Sequence, residues 1–252
     1  MNIPIDQNYI EAVALISVRI VLFLIIAPPF SYQWFPMQVK AMLSVLLALV
    51  VAPQVAHGYV QGDTGTFILN LATEAVTGAV LGFLVYGVFA AVQSAGALLD
   101  SSGGFQAAQQ YDPAADIDGA QFSRLYQTTA LALLFASDGY QLVIGGLVRS
   151  FQSIPLTTSV DWATVAQTLA NSVTQMLVAA LQIAGPIMVV LFLANVALGL
   201  LTRVAPALNV YSLGPPALAL TTVVLAGISI VALPNIVDSL AQQASQLISG
   251  GS

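Results

Sequence analysis

Asp100, Asp112, Asp116 and Asp118 place four of the chain's eleven acidic residues within residues 97–120, a stretch without Lys or Arg. Clustered carboxylates could hold a cation or work as an acid–base pair. Asp116-x-Asp118-Gly119 has part of the spacing of a calcium loop, but the first ligand position falls on Ala114 and the bidentate position on Leu125. Calcium is therefore not expected. Tyr111-Asp112 supplies half of an intramembrane aspartyl-protease pair. No second Asp sits in a glycine-flanked helical motif, and Pro113 disfavours a helix there. The single histidine, His57, has no cysteine to join it in a metal site. The chain has no G-x-S-x-G or Walker A sequence. Neither catalysis by this chain alone nor a metal or other cofactor is expected.

What remains is a polar break between two apolar blocks. Gly103-Gly104 weakens any helix, since each glycine costs about 1 kcal/mol relative to Ala. Pro113 pushes Asp112 towards an extended backbone and a turn. Non-helical backbone at membrane depth survives only where protein or a water-filled cavity satisfies it. On the residues alone two readings stay open, an element of a conduction pathway and an ordinary external loop.

Two further patterns stand out. Glu74, Gly78 and Gly82 recur every four residues and share a helix face. Gly78-x-x-x-Gly82 is either a close-packing motif or a chance recurrence of a residue common in membrane helices. Glu74, in so apolar a block, should face a partner or cavity. Thr164, Gln167, Asn171, Gln175 and Gln182 fall on one narrow face of a second block. Stacked amides are costly against lipid. This stripe either lines water or meets polar groups of other chains, or it packs internally.

The elements that carry these residues belong to a membrane protein. Of the 252 residues 58% are hydrophobic and 6% charged, and the mean hydropathy is +0.90. A soluble domain would carry about 25% charged residues. A net charge of −6 and a pI near 4.2 argue against nucleic acid as a partner and against a polybasic membrane anchor. The first residues carry Asp6 and Glu11 but no basic residue, unlike a cleaved leader.

Residues 10–27 are long enough for a membrane helix. Arg19 within them should point at protein or water, and Pro28-Pro29 should end the helix. Tyr32 and Trp34 resemble interfacial aromatics, and Lys40 opens a second block that runs to Pro53. Residues 67–99 would reach about 50 Å as one helix, so they must tilt, bend, break or leave the lipid. Residues 125–148 turn at Ser137-Asp138-Gly139, as a hairpin or a kinked span. Residues 162–202 would span about 60 Å, with a bend expected at Gly185-Pro186. Residues 203–216 form a punctuated link, 217–233 a last apolar block, and the tail an amphipathic helix with Asn235, Asp238, Gln242 and Gln246 on its polar face. Four to eight crossings fit. The expected fold class is an all-α membrane protein of long, kinked helices in hairpins.

Four stretches together resemble the FliR family of the flagellar export gate, whose injectisome counterpart is the SctT family. They are Glu74-x-x-x-Gly78-x-x-x-Gly82; Ala95 to Asp100 with Gly103-Gly104-Phe105 and Tyr111-Asp112-Pro113; Phe135 to Gly139 with Ser150-Phe151; and Arg203-x-x-Pro206-x-x-Asn209-Val210-Tyr211-x-x-Gly214-Pro215. Ala207 departs from the family's usual Gln. The resemblance implies one integral-membrane gate subunit over residues 1–252, similar to a FliP-like part fused to a FliQ-like part. It implies a bacterial cytoplasmic membrane and flagellar basal body location. The implied partners are FliP-like and FliQ-like gate subunits, other export apparatus components, membrane lipid and unfolded protein substrates. It implies a plug formed by Gly103, Gly104, Phe105, Gln106 and Asp112, closed by Pro113. Glu74, Gly78, Gly82, Arg203, Pro206 and Asn209 would serve assembly. The alternative is a stand-alone secondary transporter that uses the broken segments 100–113 and 203–216. It would need inverted repeats, which are not detected.

Overall fold

The computed structural model describes residues 7–32, 34–56, 59, 62–105, 120–156, 161–205 and 210–249. They form α1 (Gln7–Ile26), α2 (Met37–Val55), α3 (Thr64–Ser102), α4 (Gln121–Ala136), α5 (Gly139–Ser153), α6 (Trp162–Val204), α7 (Val210–Ile230) and α8 (Leu233–Ser249), with no strand among them. The all-helical class expected from composition is therefore observed. Helices α1, α2, α3 and α6 are each long and apolar enough to cross a membrane; counting α4 with α5 and α7 with α8 as bent spans raises the number to six.

The chain divides into two compact units, one of residues 1–88, 137–173 and 239–252, the other of 89–136 and 174–238. In the first unit, Ala12, Leu15, Ile16, Arg19, Ile20, Phe23 and Leu24 form the buried stripe of α1. Helix α2 packs on α1 and turns Ser44, Ala48 and Ala52 inward. Small residues four apart let two backbones approach where lipid offers no hydrophobic drive to pair them. The other face of α2 exposes Met42, Leu46, Leu49 and Val50, as suits an apolar solvent.

In the second unit, Phe122, Tyr126, Ala130 and Leu134 form the inward stripe of α4. The Tyr126 hydroxyl, on that stripe, is hydrogen-bonded to Ser229 of α7. A single stripe of α6, including Ala180, Ala184, Ile187 and Leu191, is buried, whereas Leu177, Leu181, Val189, Phe192 and Leu193 are exposed.

The 162–202 block is a single helix, as expected, while the ends of α3 and α7 lie a few residues from where the sequence placed them. Helix α3 is one unbroken helix of 39 residues, where a break or bend was one expectation, and it carries residues 97–102 of the supposed polar gap. Helix α6 runs through Pro186, and α7 starts at Val210 with Pro215 and Pro216 inside it. Helix α3 stops where the glycines begin, at Gly103-Gly104, as expected of residues that weaken a helix. In α6 and α7 each proline removes one helical hydrogen bond but leaves the turns on either side intact, so a long apolar helix runs through it. The turn at Ser137-Asp138 is present, with Asp138 at φ 57°.

Candidate functional site

Arg19 and Glu74 meet across the seam between α1 and α3. The guanidinium grips the carboxylate through both oxygens, Nε to Oε2 at 2.5 Å and Nη2 to Oε1 at 2.9 Å. Arg19 is 0% and Glu74 1% exposed, so the pair is removed from solvent. The same Arg19 donates to the carbonyl of Ile154 at 2.9 Å and more weakly to that of Ser150 at 3.4 Å. These carbonyls lie at the C-terminal end of α5, which favours a cation; that of Ser150 also accepts the Ile154 amide at 2.8 Å. The Phe151 ring lies 4.2 Å from the guanidinium carbon. One side chain thus ties three helices.

Gly78 and Gly82 explain how α3 comes close enough. A Cβ at Gly78 would lie 2.9 Å from the Cα of Arg19 and nearer still to its carbonyl oxygen; at Gly82 it would meet the Phe23 carbonyl oxygen at 3.1 Å. The shared face expected of Glu74, Gly78 and Gly82 is therefore real, and Arg19 points at protein. All three lie on a seam internal to this chain.

A second cluster surrounds the end of α3. The Gly103 amide donates to the Leu99 carbonyl and the Phe105 amide to the Asp100 carbonyl, at 2.8 and 3.2 Å. Gly104 between them has φ 79°. This is a Schellman ending, and its left-handed position is what glycine supplies at no steric cost. Gly103 lies against Thr222 of α7, where a Cβ would be 2.9 Å from Thr222 Cγ2. The Phe105 ring stands edge-on to that of Phe122, with centroids 5.1 Å apart. Gly103, Gly104 and Phe105 are thus gathered at one place; Gln106, Asp112 and Pro113 lie outside the described residues.

The carboxylate of Asp100, 1% exposed, accepts from the backbone amides of Phe122 and Ser123, both at 2.9 Å. These are free amides of the first turn of α4. Gly96, one turn earlier on α3, lets that turn come close, since a Cβ there would sit 2.5 Å from the Phe122 carbonyl oxygen. Sequence reasoning placed Asp100 in the acidic cluster and in the stretch that carries the family resemblance, and missed this role. A signal existed: Ala120, at the helix start, cannot cap it with a side chain, so a cap from elsewhere was required.

The stripe on α6 is on the outside. Thr164, Gln167, Asn171, Gln175 and Gln182 are all exposed, and Gln167 donates to Asn171 at 3.1 Å. Internal packing is thereby set aside for this face. Arg203 is exposed in the last turn of α6, and Pro206 and Asn209 lie outside the described residues.

These features define a charge-poor helical membrane protein with polar groups buried at helix seams and an amide face turned outward. The model of the bacterial export proteins, family 1, matches residues 10–244, and the chain belongs to that family. Among its relatives is the flagellar biosynthetic protein FliR of Bacillus subtilis (strain 168), 30% identical over 223 residues that cover 86% of this chain and 84% of that protein. FliR of Escherichia coli (strain K12) is 30% identical over 215 residues, covering 85% and 80%. The Yop proteins translocation protein T of Yersinia pestis is 30% identical over 176 residues, covering 68% and 66%.

Proposed function

We propose that this chain is a core, non-catalytic subunit of a flagellar protein export gate in the bacterial cytoplasmic membrane, within the flagellar basal body. There it helps form a gated channel for unfolded polypeptides. The observation that carries this reading is the family match over residues 10–244, with relatives named for flagellar biosynthesis and for protein translocation. A stand-alone secondary transporter has no comparable support from those relatives.

In this reading the chain acts as one subunit with FliP-like and FliQ-like partners and further export components. The exposed amide stripe of α6 supports such neighbours, because amides need polar partners that lipid tails lack. Residues 103–113 form the plug, with Phe105 as its apolar stopper. Glu74, Gly78 and Gly82 serve assembly by fixing the shape of the subunit, and Arg203, Pro206 and Asn209 by contact. Opening is a shift between two states biased by substrate or partner binding.

Deleting residues 103–110 from the assembled apparatus tests the plug. The expected result is an ion leak through a complex of normal composition. An assembled deletion variant that stays tight would refute the role of this segment. Co-purification with the candidate partners, with subunit stoichiometry measured on the particle, tests the subunit reading independently.

A further inference from the structure

We propose that Asp100 positions Phe105 in the resting gate; the inference rests on the reading of Phe105 as part of the stopper. Asp100 acts through two different groups. Its backbone carbonyl accepts the amide of Phe105 and closes the Schellman ending of α3. Its carboxylate takes the amides of Phe122 and Ser123 at the start of α4. The two phenylalanines held in this way are the ones whose rings meet edge-to-face, an arrangement favoured by the ring quadrupoles.

The residue therefore fixes both members of an aromatic contact relative to one buried point. Three neighbouring features reinforce the geometry. Gly96 lets the first turn of α4 lie against α3, Gly103 fits beneath Thr222, and Gly104 turns the chain back. A carboxylate that merely capped α4 could come from position 120, directly before the helix, as caps commonly do. Here the cap comes from 22 residues away, so capping α4 also ties it to the helix that carries Phe105.

That distinction supplies the test. Export complexes are prepared with Asp100→Asn, with Asp100→Asn plus Ala120→Asp, with Ala120→Asp alone, and with residues 103–110 deleted. Ala120→Asp offers α4 a local cap and restores the helix start without restoring the tether to α3. Complex composition and resting ion leak are measured for each. The expected outcome is that Asp100→Asn raises the leak roughly tenfold, the scale of shift produced by losing one charge-assisted contact. The added local cap should recover assembly wherever it was reduced, while the leak persists. A leak abolished by Ala120→Asp would make Asp100 an ordinary helix cap and overturn the proposal. So would a tight Asp100→Asn complex beside a leaking deletion, or a doubly substituted chain that never assembles. If the deletion itself does not leak, the plug reading fails first, and this inference fails with it.

Discussion

Removing the Glu74 carboxylate should expose how strongly the α1–α3 seam depends on charge pairing. In Glu74→Ala the guanidinium of Arg19 loses two charge-assisted hydrogen bonds, and Arg19, at 0% exposure, has no water to replace them. Breaking one side of a buried pair costs about 3–5 kcal/mol. The Ile154 carbonyl at 2.9 Å and the Phe151 ring at 4.2 Å still face the cation, which places the expectation near the lower end, about 3 kcal/mol. Replacing both partners, as Arg19→Met with Glu74→Leu, removes the stranded charge. It leaves the Ile154 carbonyl without its donor, so the double variant should lose only about 1–2 kcal/mol. The coupling between the two sites is then large, as expected for residues in contact. The chain contains no cysteine, so a single Ala12→Cys, at a fully buried position on the same α1 stripe as Arg19, reports exposure of that stripe through its thiol-labelling rate. A Glu74→Ala loss below about 1 kcal/mol, or a double variant as unstable as the separate Arg19→Met and Glu74→Leu losses added together, would refute this account of the seam.

Gly78→Ala should destabilise the same seam by about 1–3 kcal/mol, because its methyl group meets the Arg19 backbone rather than a side chain that can move. Its effect should not add to that of Glu74→Ala in the same labelling assay. Asp161 accepts from the Thr164 hydroxyl and the Ala163 amide at the start of α6, and these bonds hold its carboxyl below its ordinary value of 3.8. Its contribution should be present above pH 4 and lost as pH falls through that lowered value; faster amide exchange in the first turn of α6 at low pH, absent in Asp161→Asn, checks the sign. Gln167→Leu with Asn171→Leu should leave chain stability within about 0.5 kcal/mol, as for exposed sites. The same pair should reduce co-purification of partner subunits, and undiminished recovery would count against a polar interface there. Arg203→Ala should likewise act on complex recovery rather than on the labelling rate.

Much of this was legible because membrane chemistry leaves few options. A chain so poor in charge had to be helical in lipid, and Arg19 and Glu74 had to find protein. The four-residue spacing of Glu74, Gly78 and Gly82 announced a face, although the sequence could not name α1 as what lies against it. That required knowing which of several apolar helices stands opposite, and apolar stripes do not discriminate. Helix ends were read least well. Gly, Pro and Asp are strong breakers in water, where a released amide finds solvent. Here Gly103-Gly104 do end α3, just after Ser102. Helices α6 and α7 instead run through Pro186, Pro215 and Pro216, because one lost amide per proline does not end a helix whose neighbouring turns hold. The cap of α4 was hidden for a different reason. Its acceptor, Asp100, lies 22 residues from the amide of Phe122, outside the reach of any local cap pattern.

Helix α3 solves one problem twice. Near its start an acid, Glu74, is followed four residues later by a glycine, Gly78; near its end a glycine, Gly96, is followed four residues later by an acid, Asp100. In each case the glycine removes the side chain that would hold a neighbouring backbone away, and the acid one turn along the same face tethers what has come close. The tethers differ in kind. Glu74 answers a formal charge, so its loss strands a cation, whereas Asp100 answers two backbone amides, so its loss frees a helix end. Lipid-facing surfaces contribute no hydrophobic force to bring helices together, and the pairing must come from close contact and buried polar bonds. A glycine without its acid would allow approach without fixing register, and an acid without its glycine could not come within bonding distance. The two residue types are therefore one device, and the spacing of four is what makes it work.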